Sequence, residues 1–196
     1  MRKRTIILAS SSPRRKKILR LANIKFRAVK SNLKEDLLIK KSSKYTTEKL
    51  VKILALSKGV NVITQKKNKF KGDEIIVAFD TVVICKNKII TKPKNNTDAL
   101  RKILFLSNKT HKVYTGIAII DLKKKSTRVG YEMTKVRMKK ISKKEALVYI
   151  KTKEPLDKAG AYAIQGKGGK FVESISGDYF NVVGLPLRKF LIMLPR

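Results

Sequence analysis

The run Ile75-Ile76-Val77-Ala78-Phe79-Asp80-Thr81-Val82-Val83-Ile84-Cys85 is the most apolar stretch of the chain, and it constrains everything around it. Its density of β-branched side chains predicts a central strand, which needs strands beside it and helices over it. The flanking sequence supplies both. Thr5–Ala9 is β-type, Ile24, Phe26 and Ala28 alternate with Lys25 and Arg27, and Asn87-Lys88 is placed to turn the central run back into Ile89-Ile90. His111–Asp121 and Arg128–Lys139 read as two further strands joined at Lys123-Lys124-Lys125. Helical spacing fills the intervals. One helix carries Ile18, Leu19 and Ala22; a second follows Thr46-Thr47 with Leu50, Ile53 and Leu54 on one face and Gly59 as its stop. A third opens at Thr97-Asp98, a fourth carries a Ser142/Glu145 capping box, and a last begins near Leu185-Pro186. Ser31–Lys44 is polar, a loop or irregular helix, and Gly160–Gly184 reads as loops alternating with short strands. Alternating strands and helices predict an α/β fold with a mixed sheet and flanking helices. No repeat or linker divides it, so residues 1–196 are expected to form a single domain.

Asp80 interrupts the apolar run. An ionised carboxylate inside a strand costs several kcal/mol, on the order of 3 or more, unless it is paired, hydrogen-bonded or coordinated. Acids are scarce, with 14 Asp plus Glu against 48 Lys plus Arg and a net charge of +34, so a buried one is informative. It suits a general base or a ligand for a hard cation such as Mg²⁺. The structural alternative is a carboxylate satisfying backbone N–H groups at a strand end.

A second informative passage is Ser10-Ser11-Ser12-Pro13-Arg14-Arg15, where the first strand breaks into a helix. Serine caps a helix and Pro13 suits its first position. Arg14 and Arg15 then fall in the first turn, where cations oppose the positive end of the helix dipole at about 0.3–1 kcal/mol each. Hydroxyls, free N–H groups and two guanidinium forks at one helix start make a site for a multivalent anion such as phosphate. Two solvated arginines on an ordinary helix are the plainer alternative. Other polar residues are weaker signals: Glu35 in a polar segment beside Asp36, Lys58 at an apolar helix end, Lys92 before Pro93, and Gln165, whose amide suits the edge of a uracil-type ring.

Composition removes several classes. One cysteine excludes an internal disulfide and fits a reducing compartment, and Cys85 reads as an inert buried thiol. His111 lacks metal-ligand companions and is expected to pack and hydrogen-bond. Met1-Arg2-Lys3-Arg4 with Ile6–Ala9 imitates a signal peptide, but the apolar run is too short, and nothing approaches a membrane span. A cytoplasmic protein without a membrane partner is expected. The charge is mostly lysine, spread along the chain and not interleaved with aromatics, which favours a basic surface with nonspecific attraction to polyanions over a specific nucleic-acid site. A basic nucleic-acid-binding regulator stands as the rival from another class.

The ordered set Leu8–Arg15, Asp80-Thr81-Val82-Val83, Lys92-Pro93, His111–Gly116, Asp157–Tyr162 with Gln165-Gly166, and Gly177-Asp178-Tyr179 with Asn181–Leu187 resembles the Maf family of septum-formation-inhibitor-like nucleoside triphosphate pyrophosphatases, across nearly the whole chain. The resemblance implies an elongated fold, two lobes around a cleft, and hydrolysis of a nucleoside triphosphate to monophosphate and pyrophosphate. It implies Mg²⁺ or Mn²⁺ as cofactor, held by Glu35 and Asp80, with Asp80 also the proton acceptor. Ser10, Arg14, Arg15, Lys58, Thr81, Lys92 and Gln165 fall at its substrate-binding positions. Thr81 and Gln165 resemble the branch acting on dTTP and UTP, with a purine-directed house-cleaning triphosphatase as the alternative. Nucleotide-pool cleaning and division arrest are the implied roles. A homodimer is common in the family, although no exposed apolar stripe in the sequence marks an interface. Lys34 stands before Glu35 where the family usually has an acid, which weakens the expected hold on metal; Gly59 replaces an alanine and Phe79 is bulky for its place.

Overall fold

A computed structural model describes residues 4–40, 44–66 and 69–195, with the side chains of Asp36 and Lys40 left aside. Met1–Lys3 of the basic start, Lys41–Ser43 of the polar segment, and Lys67 and Asn68 of the basic linker lie outside the described residues. In chain order the elements are β1 (Ile6–Leu8), α1 (Pro13–Leu21), β2 (Phe26–Ala28), α2 (Glu35–Lys40), α3 (Thr47–Gln65), β3 (Ile75–Cys85) and β4 (Lys88–Ile90). They continue with α4 (Asn96–Leu106), β5 (Thr110–Asp121), β6 (Ser126–Met138), α5 (Lys143–Ile150), β7 (Val172–Ser176), α6 (Tyr179–Val183) and α7 (Leu187–Met193).

The central run is the eleven-residue strand β3, as expected, and it lies inside a seven-stranded sheet ordered β2-β1-β3-β5-β6-β7 with β4 against β3. The sheet is mixed. β1 runs parallel to β2 and β3, whereas β4 runs antiparallel to β3 and β7 to β6. Lys86 and Asn87 link β3 to β4 with φ of 47° and 58°, the two left-handed positions of a tight hairpin, one residue earlier than the sequence suggested.

The chain divides into two compact units, the first comprising Met1–Asp80, Thr115–Glu132 and Gly184–Arg196, the second Thr81–Tyr114 and Met133–Val183. The first buries Ile7, Ala9, Ala55, Val62, Ile76, Ala78, Ala118 and Ile120 in one cluster, with Phe79 edge-on to Phe190 at 5.3 Å between ring centres. The second has a core around Val83, Ile103, Leu106, Val136, Tyr149 and Phe171.

Two sequence expectations change. Gly59 does not stop α3, which runs on to Gln65. It is a packing glycine: a Cβ there would stand 2.9 Å from Cδ1 of Ile120, so the helix lies close over the sheet. Lys58 therefore sits mid-helix and buried, not at a helix end complementing the dipole. The segment Gly160–Gly184, expected as loops and short strands, also contains 3₁₀ turns and the short helix α6. Asp178 accounts for that helix, since its Oδ1 accepts from the N–H groups of Phe180 (2.7 Å) and Asn181 (3.3 Å).

Candidate active site

Six of the residues singled out in the sequence, Ser10, Arg14, Arg15, Glu35, Lys58 and Asp80, belong to the first unit. Ser12 caps α1, its hydroxyl accepting from Arg15 N at 3.4 Å, and Pro13 takes the first helical position. The cap turns the chain so that Arg15 folds inward, donating from Nε to Gly184 O at 2.8 Å and from Nη1 to Ser10 Oγ at 3.3 Å. Ser10 Oγ also accepts from Ser12 N at 3.2 Å. Arg14, in the same first turn, is half-buried, and α1 has no acid in that turn to offset the two cations. From α3, Lys58 reaches both carboxylates: its Nζ donates to Asp80 Oδ1 of β3 and lies 2.8 Å from Glu35 Oε1, at the first residue of α2.

Asp80 is only 3% exposed, and this burial pushes its carboxyl above the ordinary range. The Lys58 ammonium opposes the shift, Glu35 adds to it as a neighbouring acid, and Arg15 opposes it more weakly. Burial likewise pulls Arg15 down, against the attraction of Asp80 and Glu35. The result is a carboxylate that accepts a proton more readily than a solvated one while cations hold it in place.

The two acids bear on the expected metal. Among the described residues no group of three or more His, Cys, Asp or Glu side chains is arranged to hold an ion. Mg²⁺, however, characteristically takes one or two carboxylates and completes its shell with water and substrate phosphates. Asp80 and Glu35 are hard oxygen donors already converging on one cation, the ammonium of Lys58, and this donor pair fits such an ion.

The other expected residues belong to the second unit. Thr81 follows Asp80 along β3 and is half-buried. Lys92 is exposed in the segment after β4, and Lys102 Nζ secures that segment by donating to Lys92 O (2.9 Å), Thr91 Oγ1 (3.2 Å) and Asp98 Oδ2 (2.8 Å). Gln165 is exposed in a turn that Glu154 organises, its carboxylate accepting from Lys167 N and Gly168 N, both at 3.1 Å, and from Tyr149 OH at 2.7 Å. His111 packs as expected, buried, with Nε2 2.8 Å from Tyr162 OH. Cys85 is buried and its thiol is pushed up by that burial.

A family model described as Maf-like protein matches residues 5–196. The chain belongs to the Maf family. Relatives named dTTP/UTP pyrophosphatase align over almost its whole length. That of Clostridium beijerinckii is 45% identical over 189 residues, covering 96% of this chain and 97% of the relative. Those of Acetivibrio thermocellus and Alkaliphilus oremlandii are 43% identical over 191 residues and 42% over 189, each spanning 96% of this chain, with 93% and 94% of the relatives covered. A HAM1 protein from Coxiella burnetii superposes over 69% of this chain and 73% of that one with a TM-score of 0.39 and 13% identity, too loose a likeness to bear weight.

In this Maf-family chain, sequence reading missed Lys102 and Glu154 and took Asp98 only for the start of a helix; these three brace the segments bearing Lys92 and Gln165. A signal existed for Lys102 and Asp98, because an acid four residues before a lysine on a helix is a standard pairing. Glu154 had only its scarcity, since its partners are two backbone N–H groups and a tyrosine hydroxyl at no helical spacing from it.

Proposed function

We propose that this Maf-family chain is a nucleoside triphosphate pyrophosphatase acting on dTTP and UTP, releasing the monophosphate and pyrophosphate. The observation that carries the reading is Asp80, a strand carboxylate buried in the first unit, raised by that burial and held by Lys58 next to Glu35. The names of the relatives support the substrate class.

On this reading Asp80 takes the proton of a water molecule as its oxygen bonds to the α-phosphorus. The bond from that phosphorus to the oxygen bridging to the β-phosphate breaks, and the electron pair leaves with pyrophosphate. The raised pKa of Asp80 strengthens it as proton acceptor at neutral pH. Lys58 keeps the two carboxylates together and its ammonium near them. Arg14 and Arg15 add fixed positive charge to the start of α1, a setting suited to phosphate oxygens. A divalent cation, Mg²⁺ or Mn²⁺, held by Asp80 and Glu35 together with phosphate oxygens, would supply further charge neutralisation to the triphosphate. Ser10, Thr81, Lys92 and Gln165 are assigned to substrate contact, with the amide of Gln165 and the hydroxyl of Thr81 choosing a pyrimidine edge. The chain acts as one domain, and the lone buried Cys85 supports a reducing compartment such as the cytoplasm. Among the described residues no helix is long and apolar enough to cross a membrane.

Pyrophosphate release from a panel of canonical and modified triphosphates, with Mg²⁺ and with Mn²⁺, tests the reading. Asp80→Asn should cut turnover by about a thousandfold or more while the circular-dichroism spectrum is unchanged. Wild-type turnover in that variant would remove Asp80 from the reaction. Gln165→Glu should lower rates on dTTP and UTP relative to 7-methyl-GTP, whose cationic purine suits a carboxylate better than a neutral amide, and unchanged relative rates would remove Gln165 from substrate choice.

A further inference from the structure

In the second unit, α4 and α5 pack side by side and leave a groove of about 680 Å³ on the protein surface. Its walls carry Leu100 from α4 and Leu147 and Val148 from α5, with Lys143, Lys144 and Lys151 along the α5 side. Leu147 is 44% exposed and Val148 55%, large values for aliphatic side chains on a helix that otherwise buries Ala146, Tyr149 and Ile150. Leu147 has Lys143 and Lys144 four and three residues before it and Lys151 four after it, the positions that flank a side chain on a helix surface. Among the described residues no carboxylate lines the groove. The nearby acids are engaged elsewhere: Glu145 accepts from Ser142 N (2.8 Å) and Oγ (2.7 Å) in the capping box, and Asp98 is held by Lys94 N, Arg101 and Lys102.

We infer that this groove docks an acidic amphipathic helix of a partner protein, its apolar stripe on Leu100, Leu147 and Val148 and its carboxylates on the three lysines. Concavity favours a rounded ligand over a flat bilayer, and helices commonly recognise grooves of this kind through side chains spaced three and four apart. The cations stand at both ends of α5, about 12 Å apart along the axis. They complement negative charge distributed along a ligand, not a single anionic head on an acyl tail. Nothing in the proposed hydrolysis uses these residues.

The test uses the full chain and a fluorescein-labelled peptide of roughly 18 residues, enough for five helical turns, with leucines on one stripe and glutamates elsewhere. A scrambled peptide of equal composition controls for the general attraction of a highly basic protein. By fluorescence anisotropy at about 0.15 M salt, the patterned peptide should bind at least about tenfold tighter than the scramble, and Leu147→Asp should abolish that difference. Val129→Asp, an exposed position in the first unit with the same change of charge, should leave it intact. The double variant Lys143→Glu, Lys144→Glu should weaken binding and flatten its salt dependence. Pyrophosphate release and the thermal melt should match wild type in every variant, so a lost peptide signal is not lost folding. Equal affinity for both peptides would overturn the inference, as would a Leu147→Asp variant that binds like wild type. Binding to phosphatidylserine vesicles that is lost in Leu147→Asp, without patterned-peptide binding, would also overturn it and assign the groove to a membrane surface.

Discussion

Lys58 and Lys102 both project from mid-helix, both are buried, and both meet an aspartate, yet their surroundings differ in kind. Lys102 in the second unit finds Asp98 one turn away on its own helix, and the lysine is completed by a threonine hydroxyl and a main-chain carbonyl. Asp98 in turn accepts from Lys94 N and Arg101, and its carboxyl is held well below the usual range, first by Lys102 and then by Arg101. Lys58 in the first unit reaches across to a strand, where two acids share its single ammonium and burial drives Asp80 upward. One pair is local and saturated with donors. The other is assembled from three elements and brings two acids to one ammonium. A pair of the second kind costs stability and is ready to take a proton or a cation, whereas a pair of the first kind holds a segment still.

The sharpest way to break this comparison is to remove each lysine. Lys58→Met leaves Asp80 buried beside Glu35 without its ammonium, and should cost about 3 kcal/mol of stability and at least about a hundredfold in turnover. Lys102→Met leaves Asp98 with Arg101 and Lys94 N, and should cost about 1 kcal/mol with turnover within about fivefold of wild type. Urea unfolding and pyrophosphate release measure both. Equal losses in the two variants would mean that the pairs differ only in position.

The same contrast explains what could be read from the sequence. Asp80 stood out because a carboxylate in an apolar strand is costly unless it is paired, and this chain is poor in acids; its strand proved to have the expected ends. The Ser-Pro-Arg-Arg turn was legible because caps and dipole rules act within one turn of helix. Gly59 misled because a glycine looks the same whether it ends a helix or lets the helix approach a sheet. Only the position of Ile120, some sixty residues later, decides between them. Lys58 went with it, since its burial depends on the helix continuing past it. Glu154 was invisible because two of its three partners are backbone N–H groups, which every sequence possesses, and the third is a tyrosine hydroxyl that no local pattern pairs with it.

Acid should act on the two units in opposite senses. Asp80, raised in the fold, contributes stability through its neutral form, which is present at low pH and lost as pH rises through the folded value. His111 is pulled down to about 4 by burial, so the unfolded chain binds its proton first. Its contribution is present above about 6.5 and is lost as pH falls from there toward 4, by roughly 3 kcal/mol at most. Urea midpoints measured across that window should decline in wild type and decline less in His111→Gln, which removes the titration and keeps a partner for Tyr162. An unchanged decline in the variant would show that another group titrates there, and would remove His111 as the neutral counterpart of Asp80.

The smallest effect is expected where the second pair loses only its charge. Asp98→Asn keeps the shape and one acceptor oxygen, and α4 retains its Asn95 cap, whose Oδ1 accepts from the residue-98 N–H at 2.9 Å. What disappears is an anion in the first turn of a helix, bonded to Lys102 and Arg101, worth about 0.5 kcal/mol. Because the Asp98 carboxyl is depressed in the fold, its contribution is present above about pH 4 and is lost as pH falls below that. Wild type and Asp98→Asn should therefore differ at pH 7 and converge in acid, with turnover on dTTP nearly unchanged at pH 7. A gap that persists in acid would mean that Asp98 acts through geometry and not through charge. A large loss of turnover would mean that holding Lys92 in place matters to the reaction, and the boundary between the bracing pair and the reactive pair would have to be redrawn.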